Sequence, residues 1–125
     1  MKAVVTRVSE ASVTIDGEIK GQIGKGYLVL LGVGPDDTEA EAVRLANKIC
    51  NLRVFEDENG KMNLSLEAVG GELLIISQFT LFADLSSRRP GFSHAAKPDT
   101  AIPLYEKFKA ECAALGFHVE CGEFG

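Results

Sequence analysis

Three side chains that form hydrogen bonds, those of Ser77, Gln78 and Thr80, directly follow an apolar stretch at residues 73–76. The ends of strands next to long loops are where protein scaffolds place binding and catalytic groups. The same side chains also bond readily to the local backbone or face water. The segment 77–81, Ser-Gln-Phe-Thr-Leu, is therefore open to two interpretations: it is a functional site, or it is an ordinary turn of the chain.

A nucleophilic role for Ser77 or Thr80 needs a base within hydrogen-bond distance. The chain has two histidines, His94 and His118, and neither has a spacing to Ser77 that is typical of a catalytic triad. The sequence Gly-x-Ser-x-Gly does not occur, which disfavours an α/β-hydrolase mechanism. We interpret both histidines as surface residues, and the acidic run at 56–58 as a solvated turn.

A second candidate site is the basic and aromatic sequence from Arg88 to Phe92, Arg-Arg-Pro-Gly-Phe. Two guanidinium groups can hold a phosphate while the neighbouring ring offers a stacking face. The whole chain carries a net charge of −5, which argues against a broad grip on duplex phosphates. This local reversal of charge, extended by Lys97, favours a terminal or single-stranded nucleotide. A surface loop with solubilising arginines is the alternative.

The length of 125 residues predicts a single domain spanning residues 1–125. The longest apolar runs are strand-length, far short of the roughly 18 to 20 residues that span a bilayer, and the N-terminus has no signal-peptide core. We therefore expect a soluble, cytoplasmic protein with no membrane contact. The three cysteines lack a Cys-x-x-Cys spacing, so we expect small buried side chains rather than a disulfide framework or zinc knuckle.

The elements that position these residues alternate between strand and helix patterns. Alternating β-branched residues predict strands at 2–8 and 11–15, and Asp16-Gly17 predicts a hairpin turn to a strand at 18–23. The continuously apolar run at 27–32 predicts a central strand. Further strands are predicted at 52–55, 62–66, 72–79 and 117–121.

Two helices are predicted between these strands. The first begins at an N-cap among residues 36–38 and carries apolar residues at helical spacing as far as Cys50. The second is capped by Asp99 or Thr100, has Pro103 in its first turn and ends at Gly116. A long irregular loop at 83–98 precedes it. This order predicts a mixed α/β (α+β) fold, a curved, barrel-like sheet with two packed helices.

Six segments spread over the chain resemble the D-aminoacyl-tRNA deacylase (D-tyrosyl-tRNA deacylase) family. They are VVTRVSEASV (4–13), GKGYLVLLGV (24–33), LRVFEDENGKMNLS (52–65), SQFTL (77–81), RPGFS (89–93) and KPDTA (97–101). The resemblance implies a homodimer with two active sites at the subunit interface. It also implies a hydrolase of translation quality control, which cleaves the ester between a D-amino acid and the terminal adenosine of tRNA.

The resemblance further implies catalysis without a metal or cofactor, assisted by the 2′-hydroxyl of the terminal ribose. Ser77, Gln78, Phe79 and Thr80 would line the pocket for the adenosine and the ester. Backbone N–H groups near Phe79 are suited to polarising the ester carbonyl. Because Thr80 lacks a base, we expect it to orient the substrate rather than act as a nucleophile.

Four further residues are expected to bind substrate. Arg89 and Phe92 belong to the basic, aromatic sequence, which suits a phosphate and a base. Ala101 matches a small pocket residue near the aminoacyl group, and Arg7 matches an arginine that steadies the element selecting chirality. A pocket that works by excluding an L side chain has no steric reason to reject glycine, so glycyl-tRNA is expected to be a substrate as well.

The second signature of the family, Asn-x-Gly-Pro-[Val/Phe]-Thr with a cis-proline, does not occur in this sequence. Gly34-Pro35 is not that motif because two aspartates follow it. We therefore expect that a C-terminal segment is missing, on which rejection of L-amino acids and dimer closure would depend. Two alternatives stay open: a non-catalytic nucleic-acid-binding module on the same fold, and a small-ligand or dimerisation protein.

Overall fold

The structure is a computed structural model that describes residues 1–124. Its elements follow in the order β1 (Lys2–Val8), β2 (Ala11–Ile15), β3 (Glu18–Ile23), β4 (Gly26–Gly32), α1 (Glu39–Cys50), β5 (Phe55–Glu56), β6 (Met62–Leu64), β7 (Glu72–Ser77), a short 3-10 helix (Phe79–Phe82), α2 (Pro98–Ala114) and β8 (Val119–Cys121). The predicted mixed α/β class with two helices is confirmed.

The main sheet has four strands in the order β1-β4-β7-β8. Strand β1 runs antiparallel to β4, whereas β4, β7 and β8 run parallel to one another. Strands β2 and β3 form a separate hairpin, and Asp16 and Gly17 both have positive φ as a two-residue turn requires. Within residues 1–124 the sheet stays open instead of closing like a barrel, because this hairpin pairs with itself.

The two helices pack on one face of the sheet and bury the apolar side chains that point to that face. Alternate residues of β4 and β7 supply the sheet side of this core. The sulfur atoms of Cys50 on α1 and Cys112 on α2 lie 3.8 Å apart in its interior. The fully buried members include Tyr27, Val29, Leu31, Ala42, Ala46, Leu73, Ile75, Phe108 and Cys112.

The opposite face of the sheet is covered in part by the β2–β3 hairpin. Gly21 of the hairpin approaches so closely that a Cβ atom there would lie 2.7 Å from the carbonyl oxygen of Cys121. On β1 the same face is less covered, because Val4 is 46% exposed beside the half-buried Leu30. This face therefore has a covered half and an open half.

Helix α1 begins as predicted, because Thr38 is its N-cap and its backbone N–H donates to the Glu41 carboxylate at 2.7 Å. Helix α2 begins earlier than predicted. Its N-cap is Lys97 and Pro98 takes the first helical position, where a missing N–H costs nothing. Pro103 therefore lies beyond the first turn, where its missing N–H removes one hydrogen bond to the preceding turn.

Strand β7 is shorter than predicted, because the chain turns into the 3-10 helix after Gln78. Cys50 and Cys112 are buried as predicted, whereas Cys121 is only half-buried, with the Lys109 ammonium 3.4 Å from its sulfur. Among residues 1–124, no helix is both long and apolar enough to cross a membrane.

Candidate functional site

A cleft of about 580 Å³ opens where β7 ends. Volumes of 300–1,000 Å³ are typical of small-molecule sites. Its walls come from β2, the end of β7, the loop before α2, the start of α2 and the chain after β8. The lining residues are Val13, Ile15, Ile76, Ser77, Gln78, Phe79, Phe92, Ala95, Ala96, Lys97, Pro98, Gly122, Glu123 and Phe124.

The β7 wall is held by the neighbouring strand β4. Ser77 pairs with Leu31, and the N–H of Gln78 donates to the carbonyl oxygen of Leu31 at 2.8 Å. The chain then turns over the end of β4, where a Cβ at Gly32 would lie 3.1 Å from the Gln78 carbonyl oxygen. Glycine at this position therefore lets the 3-10 helix sit directly against the strand.

The second wall is the loop 83–97, which is held by its own hydrogen bonds. Asp84 and Gly91 exchange two backbone bonds of 2.6 and 2.9 Å, and a carboxylate oxygen of Asp84 accepts the N–H of Ser86 at 2.9 Å. This backbone bond is the main cause that lowers the pKa of the Asp84 carboxyl. The loop therefore has a defined shape, with Phe92 at the cleft and Arg88 and Arg89 exposed.

Two aromatic rings stand at the opening of the cleft. Phe79 and Phe92 are 55% and 41% exposed, and their ring centroids lie 5.1 Å apart with the planes at 74°. Exposed rings cost free energy unless a ligand covers them, and every nucleobase has a face that stacks on such a ring. The pair is suited to a base.

The start of α2 closes the cleft on the other side. The N–H of Ala96 donates to the carbonyl oxygen of Val33 at 2.8 Å, which fixes the end of the loop against the end of β4. Lys97 and Pro98 line the cleft, while Ala101 is buried one turn further along the helix and packs on Val33. A helix N-terminus with a nearby ammonium favours a negatively charged or polarised oxygen.

The structure brings four of the predicted residues together, namely Ser77, Gln78, Phe79 and Phe92. Thr80 is exposed beside the cleft, and its hydroxyl accepts a hydrogen bond from the Gln78 amide. Arg89 lies outside the cleft on the same loop as Phe92. Ala101 lies behind the wall rather than in it.

Arg7 is not brought to this cleft by the described chain. Its guanidinium donates to the carbonyl oxygen of Val54 at 2.8 Å, beside a separate hollow. The two histidines are also elsewhere: His94 lies 3.5 Å from Asp84, and His118 lies 3.1 Å from Glu120. Within residues 1–124, Ser77 therefore has no histidine beside it, in line with the sequence spacing.

The sequence analysis did not predict several of the residues that line the cleft. Val13 and Ile15 alternate on β2 and therefore share a face, but no local pattern says that this face meets β7. Gly122, Glu123 and Phe124 follow the last strand and carry no recognisable motif. Lys97 was predicted only as an extension of the basic loop, and Pro98, in the quoted KPDTA segment, was not predicted.

The fold and the cleft together define a class: a small α+β protein with a mostly apolar cleft, aromatic rings at its opening and hydrogen-bonding groups at a strand end. The comparisons then identify the family. The family model for D-Tyr-tRNA(Tyr) deacylase matches residues 4–125. The chain belongs to this family, which confirms the resemblance stated from the sequence.

Curated relatives match the chain over nearly its full length. A protein of Symbiobacterium thermophilum is 57% identical over 99% of this chain and 83% of its own length. A protein of Roseiflexus castenholzii is 57% identical over 100% of this chain and 80% of its own length. A protein of Thermus aquaticus is 56% identical over 100% of this chain and 83% of its own length. All three are named D-aminoacyl-tRNA deacylase.

Two solved structures share the fold. One, the c-Myc DNA unwinding element binding protein, superposes with a TM-score of 0.93 at 41% identity and covers 100% of this chain and 86% of its own. The other, a probable eukaryotic D-amino acid tRNA deacylase, has a TM-score of 0.85 at 15% identity and covers 98% and 88%. The second likeness supports the fold alone.

Proposed function

We propose that this protein hydrolyses the ester of D-aminoacyl-tRNA, and of glycyl-tRNA, in the cleft at the end of β7. The products are free tRNA and the amino acid. Membership of the deacylase family and relatives at 54–57% identity with that name support a hydrolase of tRNA proofreading. The observation that carries the location is the meeting of Ser77, Gln78, Phe79 and Phe92 around one cleft.

The terminal adenosine is proposed to bind at the opening of this cleft. Phe79 and Phe92 offer exposed ring faces to the base, which suits stacking. Ser77 and Gln78 line the same cleft, where the ribose and the ester are proposed to bind. Arg88 and Arg89 stand on the loop that carries Phe92, so they suit the phosphates that precede the adenosine.

The chemistry is proposed to be assisted by the RNA. A water oxygen attacks the ester carbonyl, the bond from the carbonyl carbon to the ribose oxygen breaks, and the ribose oxygen leaves with a proton. The neighbouring ribose hydroxyl is placed to orient the water or receive the proton, because no histidine lies beside Ser77 in the described chain. N–H groups at the start of the 3-10 helix, near Phe79, are suited to the developing oxyanion.

Thr80 is proposed to orient rather than attack. Its hydroxyl is engaged by the Gln78 amide, so it fixes a side chain that lines the cleft. We expect Thr80→Ala to keep most of the hydrolysis rate, while a substrate with a 2′-deoxy terminal ribose loses far more. A full loss of activity in Thr80→Ala with unchanged binding would instead assign it the attack.

Selection against L-amino acids is proposed to involve Ala101 and Arg7 in a homodimer with its active sites at the subunit interface. Ala101 is small and supports the wall at the start of α2. Arg7 lies away from the cleft of its own chain, with its guanidinium bonded to the Val54 carbonyl oxygen, and is proposed to support the cleft of a partner from there. The open half of the sheet face, with Val4 exposed beside Leu30, is suited to an apolar interface.

We also propose that residues 1–125 act as a single domain in the cytoplasm, where aminoacyl-tRNA is used. One similar structure is of a protein named for DNA binding. The curated relatives are more similar to this chain and are named for deacylation, so the non-catalytic nucleic-acid-binding module is not favoured.

The proposed function is tested by hydrolysis of matched D-tyrosyl-tRNA and L-tyrosyl-tRNA, followed by release of labelled amino acid. We expect this chain to release D-tyrosine faster than the spontaneous rate. The rate for the L ester tests the selection separately, because the cis-proline signature on which rejection is expected to depend does not occur in this sequence. Hydrolysis of both esters at equal rates would show that Ala101 and Arg7 do not reject the L ester by themselves, and tight tRNA binding without hydrolysis of either would revive the binding module.

A further inference from the structure

Two tyrosines are buried in the core, and within residues 1–124 only one of them has a hydrogen-bond partner for its hydroxyl. The Tyr105 hydroxyl donates to the carbonyl oxygen of Ile75 at 2.7 Å, and the residue is 2% exposed. The Tyr27 hydroxyl has no partner among the residues that the structure describes, and its ring stacks on Phe55. The pair allows the effect of one bond to be separated from the effect of burying a hydroxyl.

The bond of Tyr105 links two walls of the cleft. Tyr105 lies on α2, two turns beyond Pro98, which lines the cleft at the start of the same helix. Ile75 lies on β7, two residues before Ser77, which lines the cleft at the end of the strand. The hydroxyl therefore sets the position of the helix relative to the strand just below the site.

The carbonyl that Tyr105 binds belongs to Ile75, the last residue of β7 that pairs with β8. Pairing of β7 with β8 ends at Ile75, opposite Cys121, whereas pairing with β4 continues to Ser77. Beyond Ile75 the strand end that forms the cleft wall is thus held by ladder bonds on one side only. A side-chain donor at Ile75 supports the last position before this weaker segment.

We propose that Tyr105 is a positioning residue for the reaction in the cleft, through its bond to the Ile75 carbonyl. The reaction itself rests on the proposed function. Burial raises the pKa of the Tyr105 phenol well above its usual value, so it stays a donor at neutral pH. Phe124, which lines the cleft, also packs on this ring with centroids 6.0 Å apart.

The test compares Tyr105→Phe with Tyr27→Phe, each of which removes one buried hydroxyl and keeps the ring. Small displacements of reacting groups lower the rate of a positioned reaction steeply. We expect Tyr105→Phe to lower kcat for D-tyrosyl-tRNA about tenfold with KM within about twofold, and Tyr27→Phe to leave both unchanged. A purely structural role would lower the Tm of Tyr105→Phe and leave kcat at the wild-type value, which would overturn the proposal.

A second readout does not need activity. Hydrogen exchange of the backbone amides at 76–79 reports how firmly the strand end is held. We expect the Gln78 amide, bonded to Leu31, to exchange at least about tenfold faster in Tyr105→Phe than in Tyr27→Phe. Unchanged exchange would refute the positioning role even if the wild type hydrolyses the ester. Faster exchange in Tyr105→Phe, together with no hydrolysis by the wild type, would support the positioning and refute the proposed function.

Discussion

The helix-covered face of the sheet and the cleft at the end of β7 use the same residue types in opposite ways. In the helix-covered face, aromatic and aliphatic side chains such as Phe108 and Leu73 are fully buried. At the cleft, Phe79 and Phe92 keep about half of their surface in water. The difference indicates that the first set stabilises the fold and that the second set is kept for a ligand.

The largest effect is expected in the helix-covered face. Phe108→Ala removes a fully buried ring and should lower the free energy of unfolding by about 3–5 kcal/mol, because the cavity collapses only in part. Urea unfolding measures the change, with Ile102→Ala on the exposed side of α2 as the control. A loss below about 1 kcal/mol for Phe108→Ala would remove the distinction between the two regions.

The next largest effect is expected at the cleft, where a substitution should weaken substrate binding and leave the stability of the fold nearly unchanged. Phe92→Ala should raise KM for D-tyrosyl-tRNA about tenfold or more, since stacking of a base on an aromatic ring is worth about 1–3 kcal/mol. The unfolding free energy should change by less than about 1 kcal/mol. Leu85→Ala, a more exposed apolar residue of the same loop, is the matched control. Equal effects of both variants on KM would argue against a base beside Phe92.

A smaller effect is expected at the basic end of the loop. Replacing Arg88 and Arg89 together by Ala should flatten the slope of log Kd for tRNA against log salt by about 0.7 for each phosphate that the protein no longer neutralises. Arg44→Ala, an exposed arginine on α1, serves as the control and should leave the slope unchanged. A slope that is the same in all three proteins would place the phosphates elsewhere.

The smallest effect concerns the cap of α1, whose residues do not line the cleft. The Glu41 carboxylate accepts hydrogen bonds from the side chain and from the backbone N–H of Thr38. These bonds, the side-chain bond most of all, lower the pKa of the Glu41 carboxyl below its ordinary value of 4.5. Its stabilisation is therefore present above the unfolded pKa and is lost as the pH falls through the lowered value. Thermal unfolding between pH 7 and pH 3 should depend less on pH in Glu41→Gln than in Glu39→Gln. Identical pH profiles would contradict the capping role.

Local signals in the sequence predicted the local parts of the fold. Asp16-Gly17 has the backbone freedom for a two-residue turn, and the continuous apolar run of β4 is typical of a central strand, so both were predicted. The start of α2 was misplaced because Asp99 and Thr100 are good capping residues. Pro98 instead occupies the first helical position, where its fixed φ suits the start of a helix, and Lys97 precedes it as the N-cap.

The candidate site was predicted only where its residues are neighbours in sequence. Ser77, Gln78 and Phe79 follow one another at a strand end, and Phe92 lies in a conspicuous basic loop. Val13 on β2 reaches the same cleft through packing between elements distant in sequence, and nothing in its neighbourhood indicates this. The bond from Tyr105 to Ile75 is of the same long-range kind.

The central claim is that the D-aminoacyl ester is cleaved in the cleft at the end of β7. Ala95 lines this cleft, so the large side chain of Ala95→Trp should fill it while Ser77 and Phe79 keep their identity. Ala110→Trp, on the exposed side of α2, is the control. The measurement is the rate of D-tyrosyl-tRNA hydrolysis by the two folded variants. We expect Ala95→Trp to fall to the spontaneous rate while Ala110→Trp matches the wild type. Wild-type hydrolysis by Ala95→Trp would place the reaction outside the cleft.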